Sequence, residues 1–297
     1  MKEKLIVVVG PTASGKSALA VRLARRFKGE VISADSRQIY RHLTIGTAKI
    51  SKKEMRGIPH HLLDGAHPRT TYTVFEFKRD AERLIREIAE RSRIPIIVGG
   101  TAFWVDALIS GFAFPNVPPN PRIRAELQKK SPEALFRILK KLSPARAKTI
   151  DPKNPRRLIR AIEIARAIGP VPQLSTSSPY RALWIGIRPQ DETLKRQISL
   201  RAKEMIRRGL LKETHALLAK GLVKKRIREF GFEYRAALDF LEKKMTRAEL
   251  HARLTRDTLA YAKRQMRWFK RNPVIHWFSR PPQSLSRTSW CRNFLRS

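Results

Sequence analysis

Leu5 to Val9 run apolar without interruption, the pattern of a strand buried on both faces, and the next apolar positions, in ALAVRLARRF (18–27), fall at helical spacing. The alternation then repeats. EVISA (30–34) predicts a second strand, Phe77, Ala81, Leu84, Ile85 and Ile88 line one face of a helix, and IPIIV (94–98) predicts a third strand that runs into Gly99-Gly100-Thr101. Strands alternating with helices predict an α/β fold: a parallel sheet flanked by helices, with functional groups gathered at the carboxyl ends of its strands. Asp35 and Thr101 both fall at such ends.

The pattern changes at FPNVPPNPR (114–122), where Pro115, Pro118, Pro119 and Pro121 forbid continuous helix and mark a boundary. From Ile123 to Ile168 the periodicity is helical, with Asn154-Pro155 reading as a capped helix start and Gly169 as a stop. ALWIGI (182–187) returns to strand, and the chain to about Phe278 is mostly helical and basic. The expected organisation is a catalytic core of residues 1–113 and 180–280, a helical insertion at 114–179, and a loose aperiodic tail at 281–297. A single cysteine, Cys291, has no partner within the chain, and no apolar run is long enough to span a bilayer. The expectation is a cytoplasmic monomer with no membrane partner.

Charge narrows the class. Lys and Arg number 63 against 25 Asp and Glu, a formal net charge of +38, far beyond what solubility requires. Such an excess spread through the whole chain points to a polyanionic partner whose phosphates it neutralises.

The residues that carry chemistry start with Gly10-Pro-Thr12-Ala13-Ser14-Gly15-Lys16-Ser17, a match to the phosphate-binding loop G-x-x-x-x-G-K-[ST] between a strand and a helix. By average composition such a match arises by chance in only about one chain in a hundred of this length. The glycines let backbone amides face a phosphate at a positive helix end, Lys16 supplies a cation and Ser17 a hydroxyl for Mg²⁺. The loop establishes affinity for a polyphosphate, not hydrolysis of ATP. No N-K-x-D base-reading motif of a GTPase occurs, and the third strand ends in VGGT rather than in the acid of a motor ATPase. Kinases and other group transfers remain. Asp35 then reads either as a carboxylate beside the bound phosphates or as a cap of the following turn, and Thr101 either as a functional group at a strand end or as a helix cap. Arg156, Arg157 and Arg160 lie three and four apart on one helix face. His60 and His61 are adjacent and so point different ways, which favours a structural role over metal binding.

GPTASGKS, ADSRQIYRHLTIGTAK (34–49), PHHLLD (59–64), VGGTAFWVDALISG (98–111), DPKNPRRLIRAIEI (151–164) and YAKRQMRWF (261–269) together resemble, in order and nearly over the full chain, the tRNA dimethylallyltransferases of the bacterial type, the IPP transferase family. The resemblance implies a P-loop NTPase-like core with a helical insertion domain. It implies transfer of a dimethylallyl group from dimethylallyl diphosphate to the 6-amino group of the adenosine 3′ of a tRNA anticodon, with Mg²⁺ and release of diphosphate. Asp35 then matches the family's base and Thr101 a position at the reacting centre. Gly10, Thr12, Ala13, Ser14, Gly15, Lys16, Ser17 and Arg160 match the diphosphate site, with Ser17 on the metal. Asp35, Ser36, Arg37, Gln38, Thr101, Arg124, Arg156, Arg157, Arg160 and Arg228 match positions that meet the tRNA anticodon stem-loop. Trp268 and Phe269 read as core residues of a helix whose basic face turns to RNA. Pro170 stands where the family usually has a lysine, and GFEY (231–234) replaces a commoner form. The alternatives are a P-loop small-molecule kinase, a prenyltransferase specific for free AMP, and an RNA-binding protein without activity.

Overall fold

The computed structural model describes residues 2–172, 177–282 and 294. β1 (Glu3–Val9) leads through the glycine-rich loop into α1 (Lys16–Phe27), and β2 (Gly29–Ser33) follows at once. A long loop, broken by α2 (Lys52–Met55) and the two-residue β3 (His60–His61), precedes α3 (Val74–Glu90), β4 (Ile94–Val98) and α4 (Ala102–Ile109). Four helices come next without a strand: α5 (Pro121–Leu127), α6 (Pro132–Leu142), α7 (Pro144–Ala147) and α8 (Pro155–Ile168). Then come β5 (Tyr180–Ile187), α9 (Asp191–Arg208), α10 (Leu210–Ala219), α11 (Lys224–Glu229), α12 (Phe232–Leu241), α13 (Arg247–Phe269) and β6 (His276–Phe278). Except for Pro281, Pro282 and Phe294, the tail expected at 281–297 lies outside the described residues.

The six strands form one sheet in the order β3-β2-β4-β1-β5-β6, every pair parallel. Parallel sheets bury both faces, and β1 shows it: Leu5, Val7 and Val9 enter one core with Phe77, Trp104 and Tyr234, while Ile6 and Val8 enter the other with Leu19, Leu23 and Ile96. The alternation of strands and helices is therefore a true guide to fold class. It does not give the order of the strands. β4 inserts between β1 and β2, so the end of β2 stands two strands, roughly 10 Å, from the end of β1. The ends of β1, β4 and β2 lie side by side, and residues of the long β2–α3 loop line a pocket with them.

At the outer edge β3 explains the two histidines. His61 Nε2 lies 2.7 Å from the buried carboxylate of Glu30, which also takes Arg91 at 2.9 Å and Arg93 at 3.0 Å, while His60 Nδ1 pairs with the Ile58 carbonyl at 2.8 Å. Burial opposes ionisation of Glu30, yet Arg91 and His61 hold its carboxyl below the ordinary range.

Residues Gly111–Ser177 form a second compact unit with its own core of Leu127, Leu135, Leu139, Leu158 and Ile162. Three of its four helices, α5, α6 and α8, begin by one device. Asn120, Ser131 and Asn154 each precede a proline at the first helical position, and each side chain accepts a first-turn amide that has no partner within the helix. Gly169, at φ 82°, ends α8.

The loop after β2 is held from α10. Glu213 accepts the successive amides of Thr44 (2.8 Å), Ile45 (2.8 Å) and Gly46 (2.9 Å), and the Tyr234 hydroxyl donates to it at 2.8 Å. Gly46 is required by this contact, since a Cβ there would sit 2.6 Å from the Tyr234 ring. Lys49, buried on the same loop, donates to the Tyr40 carbonyl (2.8 Å) and to Asp64 (2.6 Å). Glu213→Ala removes a charged acceptor from three backbone amides and the Tyr234 hydroxyl, most of them part-buried, and is expected to cost about 2 to 4 kcal/mol. A thermal melt reads this as a lower Tm, with Glu213→Gln falling between wild type and Ala.

Candidate active site

Between β1 and α1 the chain curls so that Gly10, Ala13 and Gly15 take φ of 146°, 62° and 85°. At Gly10 a side chain is also barred by space, because its Cβ would lie 2.5 Å from the Ile187 carbonyl oxygen. Lys16 folds back over the loop and donates to the Pro11 carbonyl at 3.2 Å. The buried Ser14 hydroxyl has no partner among the described residues, an orphaned polar atom within the loop. Lys16, Ser17, Asp35, Arg201, Glu233 and Tyr261 line one pocket over this loop.

The electrostatics of that pocket are those of an anion site. Burial first, and the neighbouring Arg201 second, pull the Lys16 ammonium down to about 8, against the attraction of Asp35. Burial likewise lowers the Arg201 guanidinium, with Glu233 and Asp35 opposing. Arg201 makes no hydrogen bond to the described residues and so keeps its donors for another group. Burial pushes the Glu233 carboxyl up, although Arg37 lies 2.8 Å away.

Asp35 follows the end of β2. Its Oδ1 accepts the amides of Arg37 (2.9 Å) and Gln38 (3.3 Å), so it does cap the turn, and Oδ2 is left without a donor from the described chain. Both readings of this residue are thus compatible in geometry, one for each oxygen. Thr101 holds the N-cap position of α4 but makes no side-chain cap. Its hydroxyl instead accepts the Ser36 amide at 3.0 Å and donates to the Ser36 hydroxyl at 3.3 Å. Gly99 lets these strand ends meet, for a Cβ there would lie 2.1 Å from the Ala34 carbonyl oxygen.

The remaining candidates fall into three groups. Arg37 and Gln38 line the pocket yet spend side-chain donors within the protein. Arg37 pairs with Glu233 and lies against the Phe232 and Tyr261 rings at 5.5 and 5.8 Å, and Gln38 Nε2 donates to the Thr47 carbonyl at 3.2 Å. In the Gly111–Ser177 unit, Glu163 is buried and gathers Arg124 through two bonds of 2.8 Å and Arg160 at 3.4 Å, and Arg160 also donates to the Val117 carbonyl at 2.8 Å. Arg156 and Arg157 are exposed, so the arginine cluster expected on one face of α8 divides: Arg160 turns to Glu163 and the other two turn to solvent. Arg228 pairs with Asp239 (2.6 Å) and Glu242 (3.3 Å). Phe269 is 1 % exposed as a core residue should be, whereas Trp268 is only partly buried and donates its Nε1–H to Asp106 at 2.5 Å.

Arg201, Glu233, Tyr261 and Gln265 join the pocket without having been candidates individually; the last three lie within the GFEY and YAKRQMRWF blocks, and two carry a signal of their own. Arg201 interrupts the buried stripe Leu194, Ile198, Ala202, Met205 of α9, and Gln265 interrupts the stripe Leu254, Ala262, Phe269 of α13. A polar residue on a buried face needs a partner, and here the partner is the site.

No group of three or more His, Cys, Asp or Glu among the described residues could hold a metal by itself. Mg²⁺ commonly takes most of its oxygens from phosphate and water, and the Ser17 hydroxyl, exposed in the first turn of α1, suits that donor set.

Residues 38–272 match the family model described as IPP transferase. The chain belongs to the IPP transferase family. A tRNA dimethylallyltransferase of Thermomicrobium roseum is 39% identical over 284 residues, covering 93% of this chain and 86% of that protein. Another, of Carboxydothermus hydrogenoformans, is 39% identical over 297 residues, covering 97% and 95%. Among solved structures, the full-length tRNA isopentenylpyrophosphate transferase of Bacillus halodurans superposes with a TM-score of 0.71 at 35% identity, covering 99% of this chain and 94% of that one. For this IPP transferase family member the P-loop therefore sits in the fold of its relatives. No helix of the described residues is long and apolar enough to cross a membrane.

The lowered Lys16 gives a test with a defined sign. Below about pH 8 the ammonium is charged in folded and unfolded chains alike, and folding bears the full cost of burying it; between 8 and 10.5 the folded chain sheds its proton first and the cost declines. Lys16→Met is expected to raise the Tm of the unliganded protein at pH 7, with a gain over wild type that shrinks as the pH climbs past 8. A gain that grows above pH 8 contradicts the assignment.

Proposed function

We propose that this protein transfers a dimethylallyl group from dimethylallyl diphosphate to the 6-amino group of the adenosine 3′ of a tRNA anticodon. The observation that carries the reading is one pocket lined together by Lys16, Arg201 and Asp35, with Thr101 bonded to Ser36 next to that acid. In the reaction the adenine nitrogen forms a bond to the allylic C1 as the C1–O bond breaks, and the electron pair of that bond leaves with diphosphate. The proton released from nitrogen passes to Asp35 Oδ2.

Each residue serves a definite part of this exchange. An adenine amine is a weak nucleophile because its lone pair is delocalised, so a carboxylate that removes its proton as the bond forms lowers the barrier. Lys16, Arg201 and the loop amides are fixed in advance around the oxygens on which negative charge grows. Bound Mg²⁺ would neutralise part of the same charge, held by Ser17 and the diphosphate itself. Thr101 fixes the Ser36 turn and hence the direction of Asp35.

The tRNA side rests on charge and on the family. A target adenosine in a loop must leave its stack to reach a carboxylate at the bottom of a pocket, and the loop's phosphates are then held by Arg and Lys. Arg156 and Arg157 suit this task because α8 has two cations and no acid in its first turn, where the helix dipole disfavours positive charge. That arrangement is paid for in stability and makes sense as a phosphate contact. The setting is the cytoplasm, where tRNA is available.

Mass spectrometry of tRNA nucleosides after incubation with the protein, dimethylallyl diphosphate and Mg²⁺ is expected to reveal prenylated adenosine. Asp35→Ala should lower kcat by about 10²- to 10⁴-fold while tRNA affinity holds, and Arg201→Ala should raise KM for the prenyl donor. Absence of the modified nucleoside with wild-type protein sinks the reading.

A further inference from the structure

Gln265 is 4 % exposed, on the buried stripe of α13, and both ends of its amide are engaged by different loops of the site. Its Oε1 accepts the backbone N–H of Thr12 at 2.8 Å, and its Nε2 donates to the Gly100 carbonyl at 2.8 Å. The orientation of the amide is not arbitrary. A backbone N–H can only donate and a carbonyl only accept, so flipping the group would break both bonds.

Gly100 is fitted to this amide. A Cβ at that position would lie 2.1 Å from Gln265 Nε2, and the nearest atom outside Gln265 would be Lys16 Cε at 3.8 Å, an ordinary contact. Gly100 does not have a left-handed φ, so only the approach of the Gln265 side chain excludes a larger residue there. Thr12 belongs to the loop that grips diphosphate. Gly100 precedes Thr101, whose hydroxyl is bonded to Ser36 beside Asp35. A continuous chain of contacts thus runs from the phosphate loop through one buried amide to the acid.

We infer that Gln265 is a positioning residue for the transfer reaction: it sets the separation between the diphosphate loop and the Thr101–Asp35 side, so that the allylic carbon and the adenine nitrogen meet at reaction distance. The inference rests on the prenyl-transfer reading above. Gln265 bonds backbone groups of the two loops rather than the proposed reacting groups, so its effect falls on geometry. A misplacement of about 1 Å can cost on the order of 10²-fold in rate.

The test is a double-mutant cycle on the full chain with tRNA and dimethylallyl diphosphate, reading kcat, both KM values and Tm for wild type, Gln265→Ala, Gly100→Ala and the double variant. Gln265→Ala is expected to lower kcat roughly 10- to 100-fold with smaller changes in either KM. Gly100→Ala alone should do the same by displacing the amide. In the Gln265→Ala background the added methyl has room, so the double variant should be no slower than Gln265→Ala. Two results overturn the inference: a Gln265→Ala protein with wild-type kcat, whatever its Tm, or a Gly100→Ala loss of kcat that is as large without Gln265 as with it. Wild-type protein that attaches no prenyl group overturns the functional reading itself, which separates that failure from this one.

Discussion

Lys16 and Arg201 are two cations brought into one buried pocket, and the rest of the site is arranged around what that costs. Burial and the neighbouring Arg201 bring the Lys16 ammonium down to about 8 against the attraction of Asp35, and burial lowers the Arg201 guanidinium against Glu233 and Asp35. A pocket of this kind favours an incoming anion strongly, because the anion relieves a repulsion the folded chain already bears. The loop has a curled backbone and a Ser14 hydroxyl with no partner among the described residues.

Such a pocket acts on chemistry only if the acid opposite the cations is held still. Asp35 is tied by one oxygen to the amides that follow it, and Thr101 fastens the same turn from β4. The loop beyond is secured by Glu213 over three successive amides and by buried Lys49, with Gln38 bridging back to the Thr47 carbonyl. These are bonds from charged or polar side chains to backbone groups, which fix the course of a segment that has little regular structure of its own. The glycines at 46, 99 and 100 mark places where side chains and carbonyls press close around this segment.

The Gly111–Ser177 unit divides its arginines by the same physics. Buried Glu163 holds Arg124 and Arg160 in fixed directions, a role that a buried acid plays well because each hydrogen bond it accepts offsets its own desolvation. Arg156 and Arg157 remain exposed in the first turn of α8. With a net charge of +38 over the chain, most cations have no acid to answer them, and a polyanion is the natural complement.

What the sequence determined by itself was the set of local decisions. The unbroken apolar run at Leu5–Val9, the helical spacing of α3, the Asn-Pro start of α8 and the spacing of Gly10 to Ser17 each rest on a few neighbouring residues, and so on rules of period and backbone conformation that hold wherever the segment lies. The motif blocks likewise carry the resemblance to the IPP transferases in the sequence alone. Only the tertiary structure decided that β4 lies between β1 and β2, that α9 brings Arg201 beside Lys16, and that α13 brings Gln265 between Thr12 and Gly100. Those contacts join residues separated by as many as 253 positions. Their sequence trace is no more than a polar residue on an apolar stripe, which says that a partner must exist but not which one, because that partner is chosen by how the helices pack against the sheet and not by anything in the segment itself.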